Sequence, residues 1–222
     1  NSIRTMVLHT PSGDVYAGPF TYKRFWFRDA ALIAHSLMCA NLLDRAEAIL
    51  DRFPDRQENS GYFLSQEGEW DSNGQVLWAY QRFCDLSGRL PKAAWIDPIR
   101  KGAEWILLKR RTAQNLGEHD GLMPAGFSAE HLGPNDFYYW DDFWCAAGLR
   151  AAADLMERIG QSGEADRYRG EASSLLGAVD RSLAIVAEKQ GKTALPATPF
   201  RRMDSGAVGS LAAGYPLQLW PP

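Results

Sequence analysis

The chain has little cysteine: three residues in 222, at Cys39, Cys84 and Cys145. All three fall in apolar, helix-patterned stretches with no C-x-x-C pair, which excludes a disulfide framework or a zinc site of standard spacing and reads as three buried thiols. Positive charge is not in excess either. The formal net charge is −3 and the isoelectric point about 5.8, so the basic footprint of a nucleic-acid binder is missing. No apolar run approaches the roughly 18 residues that a membrane span needs, and the first residues contain no signal-peptide core. The compartment stays open. Phosphate-binding and dinucleotide glycine motifs are lacking, as is the G-x-S-x-G elbow of serine hydrolases. The ends, Asn1 in place of an initiator Met and a closing PLQLWPP, read as those of a fragment of a longer chain.

What the chain does have is tryptophan. Eight Trp and 12% aromatic residues stand in an otherwise ordinary composition, 45% hydrophobic and 23% charged. The densest cluster is NDFYYWDDFWCAAGL from Asn135, where Phe137, Tyr138, Tyr139, Trp140, Phe143 and Trp144 surround the adjacent carboxylates Asp141 and Asp142. Buried charge is costly unless partnered. A stretch that mixes aromatics with acids is therefore either a capped helix start over a core or the wall of a pocket. In a pocket, aromatic faces stack on the C–H faces of sugar rings, and an apolar wall raises a carboxyl toward the general-acid range.

The apolar period predicts an all-α chain. An irregular lead-in, 1–27, precedes helices expected over 29–43, 45–53, 72–86, 95–111, 141–159 and 164–189, with a seventh helical segment from 204. Short turns join the first pair, near Asp44, and the pair around Gly160 to Gly163. Long acidic and aromatic connections, 55–71 and 112–137, separate the others. Helical hairpins with tight turns at one end and elaborate loops at the other are expected of a toroid of paired helices, with the loop end as the binding face.

Three loop-to-helix junctions share a composition: Phe25-Trp26-Phe27-Arg28-Asp29, Glu67-Gly68-Glu69-Trp70-Asp71 and Tyr139-Trp140-Asp141-Asp142. Aspartate favours helix N-termini on its own account, but capping gives no reason for the accompanying Trp. A ring of carboxylates among aromatics would hold a sugar, with Arg28 donating to and Asp29 accepting from vicinal hydroxyls. His119-Asp120 and Glu130-His131 match no metal-ligand spacing. They read as hydrogen-bonding loop residues, with Glu130 as a second-choice acid. Neither a metal nor a cofactor is expected.

AGPFTYKRFWFRDAALIAHSL followed by DRAEAILDRF resembles the first hairpin of the six-hairpin glycosidases. This clan includes glucoamylases, the amylo-α-1,6-glucosidase part of debranching enzymes, trehalases and glycan-trimming α-glucosidases. EWDSNGQVLWAY, YYWDDFWCAAGL and MDSGAVGSLAAGYPL are similar to the starts of their third, fifth and seventh helices, in the expected order. The resemblance implies an (α/α)6 toroid of which 1–222 is about the first half. It implies an inverting hydrolase of α-glucosidic bonds, with Asp141 as general acid and Asp142 as its substrate-orienting neighbour. Arg28 and Asp29 would grip the first sugar, Trp70 and Asp71 would lie beside it, and Trp26, Tyr139 and Trp140 would build its walls. Asp at the acid position is closer to trehalases and glycan-trimming enzymes than to glucoamylases, which use Glu. The family's base lies near the eleventh helix, so it would come from outside this chain, from a C-terminal half or a second chain. Another α/α-toroid enzyme, a sugar epimerase or glycoside phosphorylase, and a non-catalytic carbohydrate binder are the alternatives.

Overall fold

In a computed structural model, residues 2–11, 14–128, 135–191, 193 and 195–220 are described. Seven α-helices are found among them: α1 (Ser2–Leu8), α2 (Phe27–Cys39), α3 (Leu43–Leu50), α4 (Ser72–Ser87), α5 (Ala93–Arg110), α6 (Tyr139–Arg158) and α7 (Ser162–Gln190). No strand occurs among the described residues, only two isolated bridges, Gln57 with Phe63 and Gly126 with Asp136. None of the helices there is long and apolar enough to cross a membrane.

The lead-in is not wholly irregular, since α1 forms within it. This helix buries none of its residues fully, although Met6 and Val7 are half-buried against the core, and at seven residues it is too short for its apolar spacing to stand out. The last segment, Ser205–Ala213, is a 3-10 helix instead of an α-helix. Asp204 caps it, the side chain accepting from the Gly206 N–H at 2.8 Å. Cys84 and Cys145 are buried, whereas Cys39 is exposed at the end of α2, where the chain leaves the core for the turn to α3.

Helices α2, α4 and α6 stand side by side, α4 in the middle, and α3, α5 and α7 pack behind them. Tight turns link α2 to α3 through Asn41 at φ +60° and α6 to α7 through Gly160 at φ +76°. The three front helices run in the same direction. Their N-termini meet through Arg28, Asp71 and Trp140, and their C-terminal halves meet through His35 with Trp78 and Gln81 with Asp154. The α4–α6 crossing is backbone on backbone: a Cβ on Gly74 would lie 2.1 Å from the Trp144 carbonyl oxygen, and one on Gly148 would lie 2.5 Å from the Gly74 Cα.

Side chains from both rows fill the interior, including Phe27, Leu37, Phe53, Leu77, Tyr80, Trp95, Phe143, Trp144 and Leu155. Asn73, wholly buried, pins the loop ahead of α4. Its Oδ1 accepts from the Phe63 N–H at 2.9 Å, and its amide donates to the carbonyls of Gly61 and Gly102.

Candidate active site

The three aromatic–acidic junctions come together where α2, α4 and α6 begin. Asp71, 2% exposed, is their hub. Its Oδ2 accepts from Trp140 Nε1 at 2.7 Å, from Gln75 Nε2 at 2.7 Å and from Arg28 Nη1 at 3.4 Å. One carboxylate from the α4 junction thus ties the α2 and α6 junctions to it. Arg28 Nη1 also lies 3.9 Å from Glu69 Oε2. The guanidinium is therefore shared by two carboxylates of the neighbouring junction, whereas the sequence pairs it with Asp29.

A cleft of about 520 Å³ opens beside this hub. Trp26, Arg28 and Asp29 line it together with Ala17, Tyr22, Gln66 and Glu69. The Trp26 ring is fixed from two sides, by the Arg24 guanidinium 4.2 Å from its centroid and by the Tyr22 ring at 6.0 Å. At the base of the junction, the Phe27 N–H donates to Ser65 Oγ at 2.8 Å, joining the start of α2 to the loop before α4. Burial raises the Asp29 carboxyl above its usual pKa and the nearby Asp71 adds to this, with Arg28 opposing.

Asp141 and Asp142 are each 1% exposed, and their surroundings differ. Burial pushes the Asp141 pKa well above the carboxylate range, and the negative charges of Asp71, Asp142 and Glu69 push it further, against Arg28. Both effects favour the protonated form of Asp141, and its Oδ2 has no hydrogen-bond partner among the described residues. One residue on, about 100° round the helix, Asp142 accepts the Met123 N–H at 2.7 Å. Burial raises its pKa to about 8 despite that bond and Arg110. Its role in the geometry is to hold the 122–123 turn against α6, away from the Arg28–Asp71 contact.

Two aromatics of the sequence motif are also turned elsewhere. Trp70 donates from Nε1 to the Ala125 carbonyl at 3.1 Å and lies under the Lys109 ammonium, 3.5 Å from its ring centroid. It joins Tyr62 and Trp105, which stack on each other at 4.2 Å. Tyr139 is fully buried, its hydroxyl 2.6 Å from Ser182 Oγ, which in turn sits 2.8 Å from His119 Nδ1. Side chains two or three residues from a helix start point in different directions, and composition does not say which will face the cleft. Trp140 supports the hub through its indole N–H and packs edge-on against Trp144.

His119 makes the hydrogen bond expected of a loop histidine, while Glu130 and His131 lie outside the described residues. No group of three or more His, Cys, Asp or Glu side chains among the described residues could hold a metal ion.

Four lining residues were not among the candidates from sequence: Ala17, Tyr22, Gln66 and Glu69. Glu69 carried a signal, since it lies two residues before Asp71 in an acidic junction. Tyr22 and Gln66 carried none, because they sit in loops whose path no periodicity describes. No protein-family model matches the chain, and no curated protein matches it either.

Proposed function

We propose that the chain carries the acid half of an inverting glycoside hydrolase site that acts on α-glucosidic bonds of an oligosaccharide or small glucoside. The observation that supports this most is the placing of Asp141, a buried carboxyl with a raised pKa and an Oδ2 that finds no hydrogen-bond partner among the described residues, near the charges of Arg28, Asp71 and Glu69, next to a cleft walled by Trp26. A general acid must be protonated at working pH, and burial among like charges is the means by which carboxyls are kept so. Trp26 offers a ring face to a pyranose, and Asp29 and Glu69 offer acceptors to its hydroxyls.

In an inverting reaction Asp141 donates its proton to the glycosidic oxygen. A second carboxylate, roughly 6.5–9.5 Å away, takes a proton from the attacking water. Asp71 and Glu69 are engaged with Arg28, and Asp71 also with Trp140 and Gln75. The resemblance to the six-hairpin toroid places the base outside this chain, in a C-terminal half or a second chain. The exposed Val208, Leu211 and Tyr215, 64%, 67% and 74% accessible on the segment after α7, support a row that continues with further helices.

A phosphorylase is disfavoured because Arg28, the one cation among the described residues lining the cleft, is already paired with two carboxylates. A non-catalytic sugar binder remains the second reading. It is favoured by the near-complete enclosure of Asp141 behind the cleft.

The two readings separate in one experiment. The 222-residue chain is expected to bind methyl α-glucoside without turning over 4-nitrophenyl α-glucoside. The full gene product is expected to hydrolyse the latter with inversion. Asp141→Asn in the full product should abolish turnover and leave sugar binding within about threefold, since it removes a proton needed only in the transition state. Hydrolysis by the 222-residue chain would overturn the assignment of the base. Binding without hydrolysis by the full product would establish the binder.

A further inference from the structure

The charges on the cleft wall are unequal. Among the described residues that line it, Arg28 is the one cation, and Asp29 and Glu69 are the two carboxylates. Arg28 forms ion pairs with two acids of the α4 junction: Asp71 Oδ2 at 3.4 Å, behind the wall, and Glu69 Oε2 at 3.9 Å, on it. Glu69 is 4% exposed overall, so its charge acts through a medium that screens poorly compared with water. The Gln66 amide, also on the wall, is neutral.

The way Glu69 is held explains why its carboxylate stays in place. The Tyr62 hydroxyl donates to the Glu69 backbone carbonyl at 2.5 Å, and Tyr62 is itself clamped by its stack on Trp105. The Gly68 carbonyl just before it accepts the Phe127 N–H at 2.7 Å, which anchors this strip of backbone to the long loop ahead of α6. The wall charge is thus built into the fold and does not ride on a free side chain.

We infer that Glu69 is a specificity-determining residue of the cleft: by masking Arg28 it makes the cleft accept neutral and amine-bearing sugars and reject sugars that carry a carboxylate or phosphate. This rests on the reading of the cleft as a sugar site. An anion entering the cleft faces Asp29 and Glu69 beside a guanidinium that is already paired with two carboxylates. An ammonium group meets two acceptors with no cation to displace. A neutral hydroxyl donates to either carboxylate and accepts from Arg28, so neutral sugars pay no electrostatic penalty.

Three probes that differ at C6 alone test the inference by calorimetric titration at low salt: methyl α-glucoside, its 6-amino-6-deoxy derivative and methyl α-glucuronide. The wild-type chain is expected to bind the amine at least as tightly as the neutral glycoside and the glucuronide most weakly. Glu69→Gln should raise glucuronide affinity relative to the amine by about tenfold, as removal of one nearby charge does at the effective dielectric of a partly buried site. Glu69→Asp, which keeps the charge, should retain the wild-type order. Since Glu69 helps to raise Asp141, Glu69→Gln should also lower the midpoint at which the Asp141 carboxyl carbon titrates by NMR. A merely structural role would not move that midpoint.

If no probe binds the wild-type chain, the sugar-site reading fails. If all three bind the wild type equally, or the glutamine variant keeps the wild-type order, the sugar site stands and the role of Glu69 is overturned. If Glu69→Gln does not fold, the wild-type order alone decides.

Discussion

Asp141 and Asp142 are neighbours in sequence with the same burial, and they do different work because a helix turns about 100° per residue. Asp141 lies near the carboxyl groups of Asp71 and Glu69, and Asp142 near a backbone N–H and Arg110. Both raised pKa values have a stability consequence of the same sign. A carboxyl that is harder to ionise when folded stabilises the fold fully below its unfolded pKa, and that contribution is lost as pH rises toward and through the folded value. For Asp142 the window runs from near 4 up to about 8. Asp142→Asn keeps an acceptor for the Met123 N–H and has no charge to desolvate. The variant is predicted to melt at a Tm at least ~5 °C above wild type at pH 8, because each kcal/mol moves Tm by about 2–4 °C in a domain of this size. The gain should shrink as pH falls toward 4. Thermal unfolding at four pH values checks it, and a lower Tm for Asp142→Asn at pH 8 would show that the ionised form is the one the fold favours.

Among the elements, the front row is set by two glycines that a sequence reader would count as flaws. Gly74 and Gly148 each cost about 1 kcal/mol in helix propensity, yet they are where α4 and α6 meet backbone to backbone. Gly74→Ala places a methyl group 2.1 Å from the Trp144 carbonyl oxygen and forces the helices apart. The predicted destabilisation is ~3 kcal/mol, at the upper end of overpacking costs. Gly170→Ala on α7, where nothing lies within 4 Å, should instead stabilise by up to about 1 kcal/mol. Chemical denaturation of the two variants checks the contrast.

Helix positions were legible because each long helix shows one apolar face to the row it joins. Expected and observed bounds for α2 through α7 agree within four residues. The rest was hidden for physical reasons. Helix α1 is seven residues long and buries none of them fully, the 3-10 geometry of Ser205–Ala213 does not change which residues are apolar, and the three hydrogen bonds of Asn73 join segments up to 29 residues away.

At the scale of the whole molecule, the meeting of three junctions follows from the direction of α2, α4 and α6. Their N-termini lie together, so whatever precedes each helix is brought to one place. That much was readable from Trp26–Asp29, Trp70–Asp71 and Trp140–Asp142. The orientation of individual rings was not: Trp26 lines the cleft, while Trp70 packs with Tyr62 and Trp105, and Tyr139 turns to Ser182. The central claim, that the convergence makes a sugar site, is tested most directly by NMR of the tryptophan indole N–H groups during titration with methyl α-glucoside. The account predicts a saturable shift of the Trp26 signal, assigned by Trp26→Phe, with the Trp70 and Trp105 signals unmoved. No shift at Trp26 up to the solubility of the glycoside, or a shift at Trp70 alone, would contradict it.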